Sequence, residues 1–179
     1  MNGRQRHRVL EDYQALQRLA AEGFEGCRCF RCHRLATGFV WDYEGLPGPA
    51  QTGHGLILWQ SWQAVVALGA RYPVEAPRIF VSAAGCTGVP FHPNILPTPP
   101  YLLCYGRHQP VLLLDGLARR VARILRLDRG AVMTDERNSL HPLACQPVRR
   151  LLQEGAAPLR TDVPFPAWCH NLITKRVKI

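Results

Sequence analysis

Between Cys86 and Arg107 the chain reads CTGVPFHPNILPTPPYLLCYGR, with five prolines from Pro90 to Pro100 and Gly85 and Gly88 at its entrance. Proline has no amide proton and fixes φ near about −65°, so neither a helix nor a central strand can run through such a segment. An aperiodic stretch of this length inside a compact domain is expected to be an ordered loop with a function. It divides the chain into two parts of different periodicity, and it ends on a single cysteine, Cys104, flanked by leucines and a tyrosine.

On the N-terminal side, residues 4–21 place Val9, Leu10, Tyr13, Leu16, Leu19 and Ala20 near helical spacing, and Gly23 stops the run. Arg4, Arg8, Glu11 and Arg18 fall on the other face of this helix, which reads as solvated. From Phe24 to Val81 the segments FEGCRCFRCHRL, TGFVWDYEGL, HGLILWQ, WQAVVALGARY and PRIFVS are short, apolar or alternating. They read as strands of a meander, with Gly45, Pro47, Gly48 and Pro49 marking a loop and Pro77 opening an edge or a new strand. Beyond the proline-rich segment, Pro110 opens a second helix, with Leu113, Leu114, Leu117, Val121, Ile124 and Leu125 as its apolar stripe. Arg119, Arg120, Arg123 and Arg126 cover its opposite side. A polar loop runs to His141, and a third helix is expected from about Gln146 to Glu154, with Pro147 in its first turn and Gly155 after it. The order is helix, strands, loop, helix, helix, which is the α+β class in one domain over 1–179. Its core spans about 4–154, and 155–179, around Trp168, Cys169 and His170, forms an extension without a clear period.

The chain has 179 residues and 47% hydrophobic content, enough for one domain with a sizeable core. No apolar run approaches the roughly 18 residues of a membrane span, and the basic N-terminus leads into an amphipathic pattern rather than an apolar leader. A soluble, cytoplasmic protein with no membrane partner is therefore expected. The formal charge is +9, and of the 22 basic residues only Lys175 and Lys178 are lysines. A GC-rich genome accounts for that bias most simply. A second reading is that guanidinium stays inert where an activated acyl group would acylate an amine. The arginines are scattered and no nucleic-acid motif is present, so nucleic acid is not an expected partner; an acidic protein suits the charge equally well.

Seven cysteines is an odd number, and reduced thiols are expected rather than a disulfide framework. Cys27, Cys29, Cys32 and His33 contain the C-x-x-C-H pattern of haem attachment, which belongs to exported proteins and is disfavoured here. Three cysteines and a histidine could in principle hold zinc, but Cys32 and His33 are adjacent and no second ligand pair follows at zinc-finger spacing. The simpler reading is a strand on which Cys27 and Cys29 share a face, with no metal and no cofactor. Cys86, Cys145 and Cys169 read as packing residues.

Three pieces stand in fixed order: Tyr72-Pro73 with Ala76-Pro77, then His92-Pro93-Asn94-Ile95, then Cys104, followed directly by the amphipathic helix. From about Arg4 to Glu154 this resembles the ubiquitin-conjugating enzyme family. That resemblance implies a UBC-like fold: an N-terminal helix, a four-stranded antiparallel meander, an active-site loop, a crossover helix and a C-terminal helix. The divergence and the arginine bias point to a bacterial member of a ubiquitin-like conjugation system linked to phage defence. Two departures stand out. Ten positions separate Asn94 from Cys104, more than is usual in the family, with PTPP as the apparent insertion; and the tryptophan often found after the cysteine is missing.

The resemblance implies that Cys104 carries a ubiquitin-like modifier as a thioester received from an activating enzyme, for transfer to an acceptor amine. A thiolate nucleophile must be at least partly exposed. The Asn94 carboxamide would donate to the tetrahedral oxyanion, and His92 would hold the loop through backbone hydrogen bonds rather than act as a base. Asp135, Glu136 and His141, in the loop after the crossover helix, and His108 are candidates for positioning or deprotonating the amine. For any one of the loop residues a solvated surface position is at least as good a reading. Arg4, Arg6 and Arg8 lie where the family docks its activating enzyme. Two other classes remain: an inactive binding module of the same fold, and a cysteine hydrolase pairing Cys104 with His108 or His141, for which papain-like signatures are absent.

Overall fold

The computed structural model describes residues 3–133 and 135–154. Helix α1 (Gly3–Glu22) buries Val9, Asp12, Ala15, Leu16 and Leu19. It ends where Gly23 takes φ +70° and returns its N–H to the carbonyl of Leu19 at 2.9 Å. The inward face differs from the expected one at two positions: Leu10 is 45% exposed, whereas Asp12 is fully buried.

Four strands then form an antiparallel meander in the order β1 (Cys29–Leu35), β2 (Gly38–Thr52), β3 (Gly55–Ala67) and β4 (Arg78–Ala83). A two-residue strand, β5 (Val89–Pro90), pairs with Ala50 and Gln51 of β2. Two expectations are corrected here. HGLILWQ and WQAVVAL are one continuous strand, β3, and the segment Gly45–Pro49 is not a loop but an irregularity inside β2. The register jumps from Glu44↔Ser61 to Gly48↔Trp59, so three residues of β2 oppose one of β3. Gly45 makes this possible at φ +66°, where a Cβ would stand 2.6 Å from that of Arg28. The bulge turns Leu46 fully into the core, and its carbonyl accepts the indole N–H of Trp62 at 3.0 Å.

One face of the sheet carries Phe30, Phe39, Trp41, Tyr43, Trp62, Ala64, Val66, Ile79 and Val81, all buried. Helices α1 and α2 (Leu114–Leu125) pack with these residues into one core. The expected stripe of α2 holds from Leu114 onward, with Val121, Ile124 and Leu125 buried and Arg119, Arg120 and Arg123 exposed. Its start does not hold: Pro110–Leu113 precede the helix, and Val111 is 82% exposed. Helix α3 (Pro142–Glu154) begins four residues earlier than expected because Pro142, not Gln146, opens it. Pro147 therefore sits inside the helix, and the carbonyl of Leu143, a 79%-exposed residue, loses its usual donor at solvent rather than in the core. No described helix is long and apolar enough to cross a membrane. The extension from 155, with Trp168, Cys169 and His170, lies outside the described residues.

Asp12 explains where α2 starts. One carboxylate oxygen accepts the N–H of Leu114, the first residue of α2, at 3.0 Å. The other accepts the hydroxyl of Tyr72 and, at 3.2 Å, the guanidinium of Arg8. Leu113 supplies no side-chain cap, so a residue about a hundred positions away does the capping. Burial pushes the Asp12 carboxyl up, against the opposing pull of its three donors. Replacing it leaves a buried hydroxyl and a helix N-terminus without an acceptor. Asp12→Ala is expected to lower the unfolding free energy by about 3 kcal/mol, read from the midpoint of urea denaturation.

Candidate functional site

The segment around Cys104 is built onto the free edge of β4. The N–H of Leu103 donates to Ile79 at 2.8 Å, and that of Val81 donates to Tyr101 at 3.2 Å. On its other side the same segment meets the chain that leads into the proline tract: Leu96 N–H to Leu102 carbonyl at 3.0 Å, and Cys104 N–H to Asn94 carbonyl at 2.8 Å. Residues 94–96 and 102–104 are thus two sides of a closed loop, with the prolines between them. Ten positions in sequence become direct neighbours in space. Tyr101 adopts φ +57° at the turn back, a conformation that costs a non-glycine residue about 1 kcal/mol. Pairing on both sides of it holds the turn.

Cys104 is partly exposed, between buried Leu103 and buried Tyr105. Tyr105 turns inward and donates its hydroxyl to the carbonyl of Pro77 at 2.8 Å, which ties the thiol's neighbour to the entry of β4. Asn94 is 2% exposed. Its carboxamide nitrogen donates to the carbonyl of Cys104 at 3.1 Å, and its oxygen accepts the N–H of Met133 at 2.9 Å. Asn94 therefore joins three things: the cysteine's own backbone, the histidine turn, and the loop after α2.

His92 is fully buried. Its Nε2 lies 2.8 Å from the carbonyl of Ile124 at the end of α2, and its Nδ1 accepts the N–H of Asn94 at 3.0 Å. That pattern fixes the neutral tautomer with the proton on Nε2. Burial lowers its pKa from 6.5 to about 4. The ring is a strut between α2 and the turn that carries Asn94.

The other candidates differ in burial. His108 is partly buried and bonded through Nε2 to the carbonyl of Pro73 at 2.8 Å. His141 is buried, edge-on to Phe91 with ring centroids 4.8 Å apart, and burial pushes its pKa down. Asp135 is exposed and caps its own turn, accepting from Arg137 N–H at 3.0 Å and the Asn138 amide at 2.7 Å. Glu136 is exposed, with the Gln146 amide at 3.4 Å. The start of their loop is pinned by Asp128, which accepts two 2.7 Å bonds from Arg126; those bonds hold its carboxyl below the usual carboxylate range. On α1, Arg4 and Arg6 are exposed, whereas Arg8 is turned inward to Asp12 and the carbonyl of Leu112.

The cysteine-rich turn separates its members. Cys27 precedes β1 rather than lying in it, which corrects the shared strand face expected for Cys27 and Cys29. The Cys27 thiol points at the carbonyls of Cys29 and Glu44. Cys32 faces the core, and burial raises its thiol to about 12. His33 lies on the opposite face with Asp42, 3.4 Å away. Among the described residues no three His, Cys, Asp or Glu side chains gather as metal ligands would. Cys145 is fully buried, and Cys86 packs on the core.

Sequence reasoning missed Asp12, Tyr105 and Met133 as supports of this site. An acidic residue on the apolar side of α1 was the one available signal for Asp12; Met133 acts through its backbone, which no residue type announces.

Because His92 is neutral when folded and titrates near 6.5 when unfolded, the unfolded chain binds the extra proton between these values. Stability from this group is present above pH 6.5 and is lost as pH falls toward about 4. The full loss is about 3 kcal/mol. His141 adds to the same trend. His92→Gln should flatten the pH dependence of the urea midpoint between pH 6.5 and 5, above the range where ordinary carboxylates titrate; a variant as pH-sensitive as the wild type would contradict this account. A search against protein-family models finds no match, and a comparison with the curated proteins finds no similar sequence.

Proposed function

We propose that the protein is a conjugating enzyme of UBC-like architecture that carries a ubiquitin-like modifier as a thioester on Cys104 and transfers it to an amine. The observation that carries the reading is the clamp on the thiol: a partly exposed Cys104 whose backbone N–H and carbonyl are both held by Asn94. A packing cysteine needs no such support, but a nucleophile that must meet a carbonyl carbon to within about an ångström does.

In the proposed reaction the Cys104 thiolate attacks the modifier's thioester on an activating enzyme. A new C–S bond forms and the activating enzyme's thiolate leaves. The acceptor amine then attacks the Cys104 thioester; the C–N bond forms, the Cys104 thiolate departs, and the amine loses a proton. Neither step needs a metal or a nucleotide on this chain. Each passes through a tetrahedral oxyanion. The Asn94 amide has two N–H groups, one of which is committed to the carbonyl of Cys104; the second has no partner among the described residues and is the proposed oxyanion donor. Asp135 and Glu136, exposed on the loop that Met133 tethers to Asn94, mark the proposed approach of the amine. Arg4 and Arg6 remain the proposed contact for the activating enzyme, in a cytoplasmic bacterial setting linked to phage defence.

Incubation with ATP, a cognate activating enzyme and its modifier should give a band of added mass that reductant removes and that Cys104→Ala lacks. Failure to form it with an active cognate pair would sink the proposal in favour of a binding module. Asn94→Ala should slow discharge to a free amine by about 10²-fold or more if the amide serves the oxyanion. A loss no larger than the accompanying fall in folded protein would assign Asn94 to structure alone.

A further inference from the structure

Immediately beyond Cys104 the chain opens a groove toward α2, lined by Tyr105, Arg107, His108, Leu112, Leu117 and Arg120 among others. We infer that this groove selects a modifier whose last few residues before the reacting carboxyl carry acidic side chains. The inference rests on the conjugating-enzyme reading above and names its substrate class.

Two cations rim the groove. Arg107 follows Cys104 by three residues and is exposed. Arg120 projects from α2 and is exposed as well. Its guanidinium sits over Gly106, which takes φ +83°; a Cβ there would lie 2.9 Å from the guanidinium nitrogen. Glycine thus leaves the gap in which Arg120 rests, two residues from the thiol. Neither arginine has an ion-pair partner among the described residues. The contrast lies farther along α2, where Arg123 and, at its C-terminal cap, Arg126 both bind Asp128. Cations that serve only packing or solubility need not flank the nucleophile without counterions.

The walls between them are apolar, and Leu112 is 54% exposed. An extended chain laid across this surface would alternate its side chains between the leucines and the rim. At about 3.3 Å per residue, a peptide joined to Cys104 and running alongside residues 105–107 would bring its third or fourth residue from the carboxyl to Arg107. Carboxylates there would meet the two guanidiniums, and basic side chains would be repelled by both.

The test uses three six-residue peptide thioesters of mercaptoethanesulfonate ending in Gly-Gly, with two Glu, two Gln or two Arg immediately before the glycines. Cys104 displaces the mercaptoethanesulfonate thiolate, one C–S bond replacing another, and peptide mapping by mass spectrometry identifies the acylated cysteine. The Glu peptide should acylate Cys104 about five- to tenfold faster than the Arg peptide, the range that two exposed ion pairs supply. The ratio should fall below about twofold in Arg107→Gln/Arg120→Gln and shrink at 1 M salt. Since the readout is a ratio between peptides, partial loss of folded protein does not move it. Equal rates on Cys104 in the wild type would overturn the acidic selectivity and leave the thioester reading intact. Acylation confined to other cysteines, such as Cys29 and Cys86, would overturn both.

Discussion

A single buried carboxylate sets the geometry on which the rest of the fold depends. Asp12 receives a backbone N–H from α2, a phenol from the turn before β4, and a guanidinium from its own helix. Those three donors come from positions 8, 72 and 114, so one side chain fixes α1, the Tyr72 turn and the start of α2 together. A buried carboxylate is tolerated only with its lone pairs filled, and these are. The same charge lies at the positive end of α2's dipole, where an anion is favoured. Because α2 also receives His92 at its far end, the position of the thiol loop is referred back, through one rigid helix, to Asp12.

Much of this was legible in the sequence. The proline tract announced an ordered irregular loop, and helical spacing located α1 and most of α2. The meander followed from alternating apolar segments. The failures have physical causes. Leu10 and Asp12 are exchanged between surface and core, since the apolar stripe assumes that burial follows hydrophobicity, and Asp12 is buried for its hydrogen bonds. Gly45, Pro47, Gly48 and Pro49 read as a loop by residue type, yet a bulge needs the same first glycine and leaves the ladder intact on both sides. The run from Pro110 has helical composition, but the helix cannot start before the N–H that Asp12 caps. Pro147 disguised the start of α3, because a proline in a helix is ordinarily at its first turn.

For the candidate site, residue types were informative and relationships were not. His92, Asn94 and Cys104 could be singled out, but the nine intervening residues gave no hint that Asn94 and Cys104 pair through their backbones. That closeness comes from the loop folding back on itself at Tyr101, where a tyrosine takes up a left-handed conformation that composition would assign to glycine or asparagine. The supports of Tyr105 on Pro77 and of Asn94 on Met133 are contacts with main-chain atoms, which carry no sequence signature. What the spacing disguised as a departure is, in space, a tight clamp.

The placement of residues 101–103 along β4 has a consequence for solubility. An open outer strand is a template on which further chains can add. Here that rim is occupied by the thiol segment itself, through Val81 and Ile79. The segment that presents Cys104 thereby also covers the outer edge of the sheet. Any change that loosens this loop also uncovers the backbone edge of Ile79-Phe80-Val81, an apolar β-prone triplet on which another strand could pair.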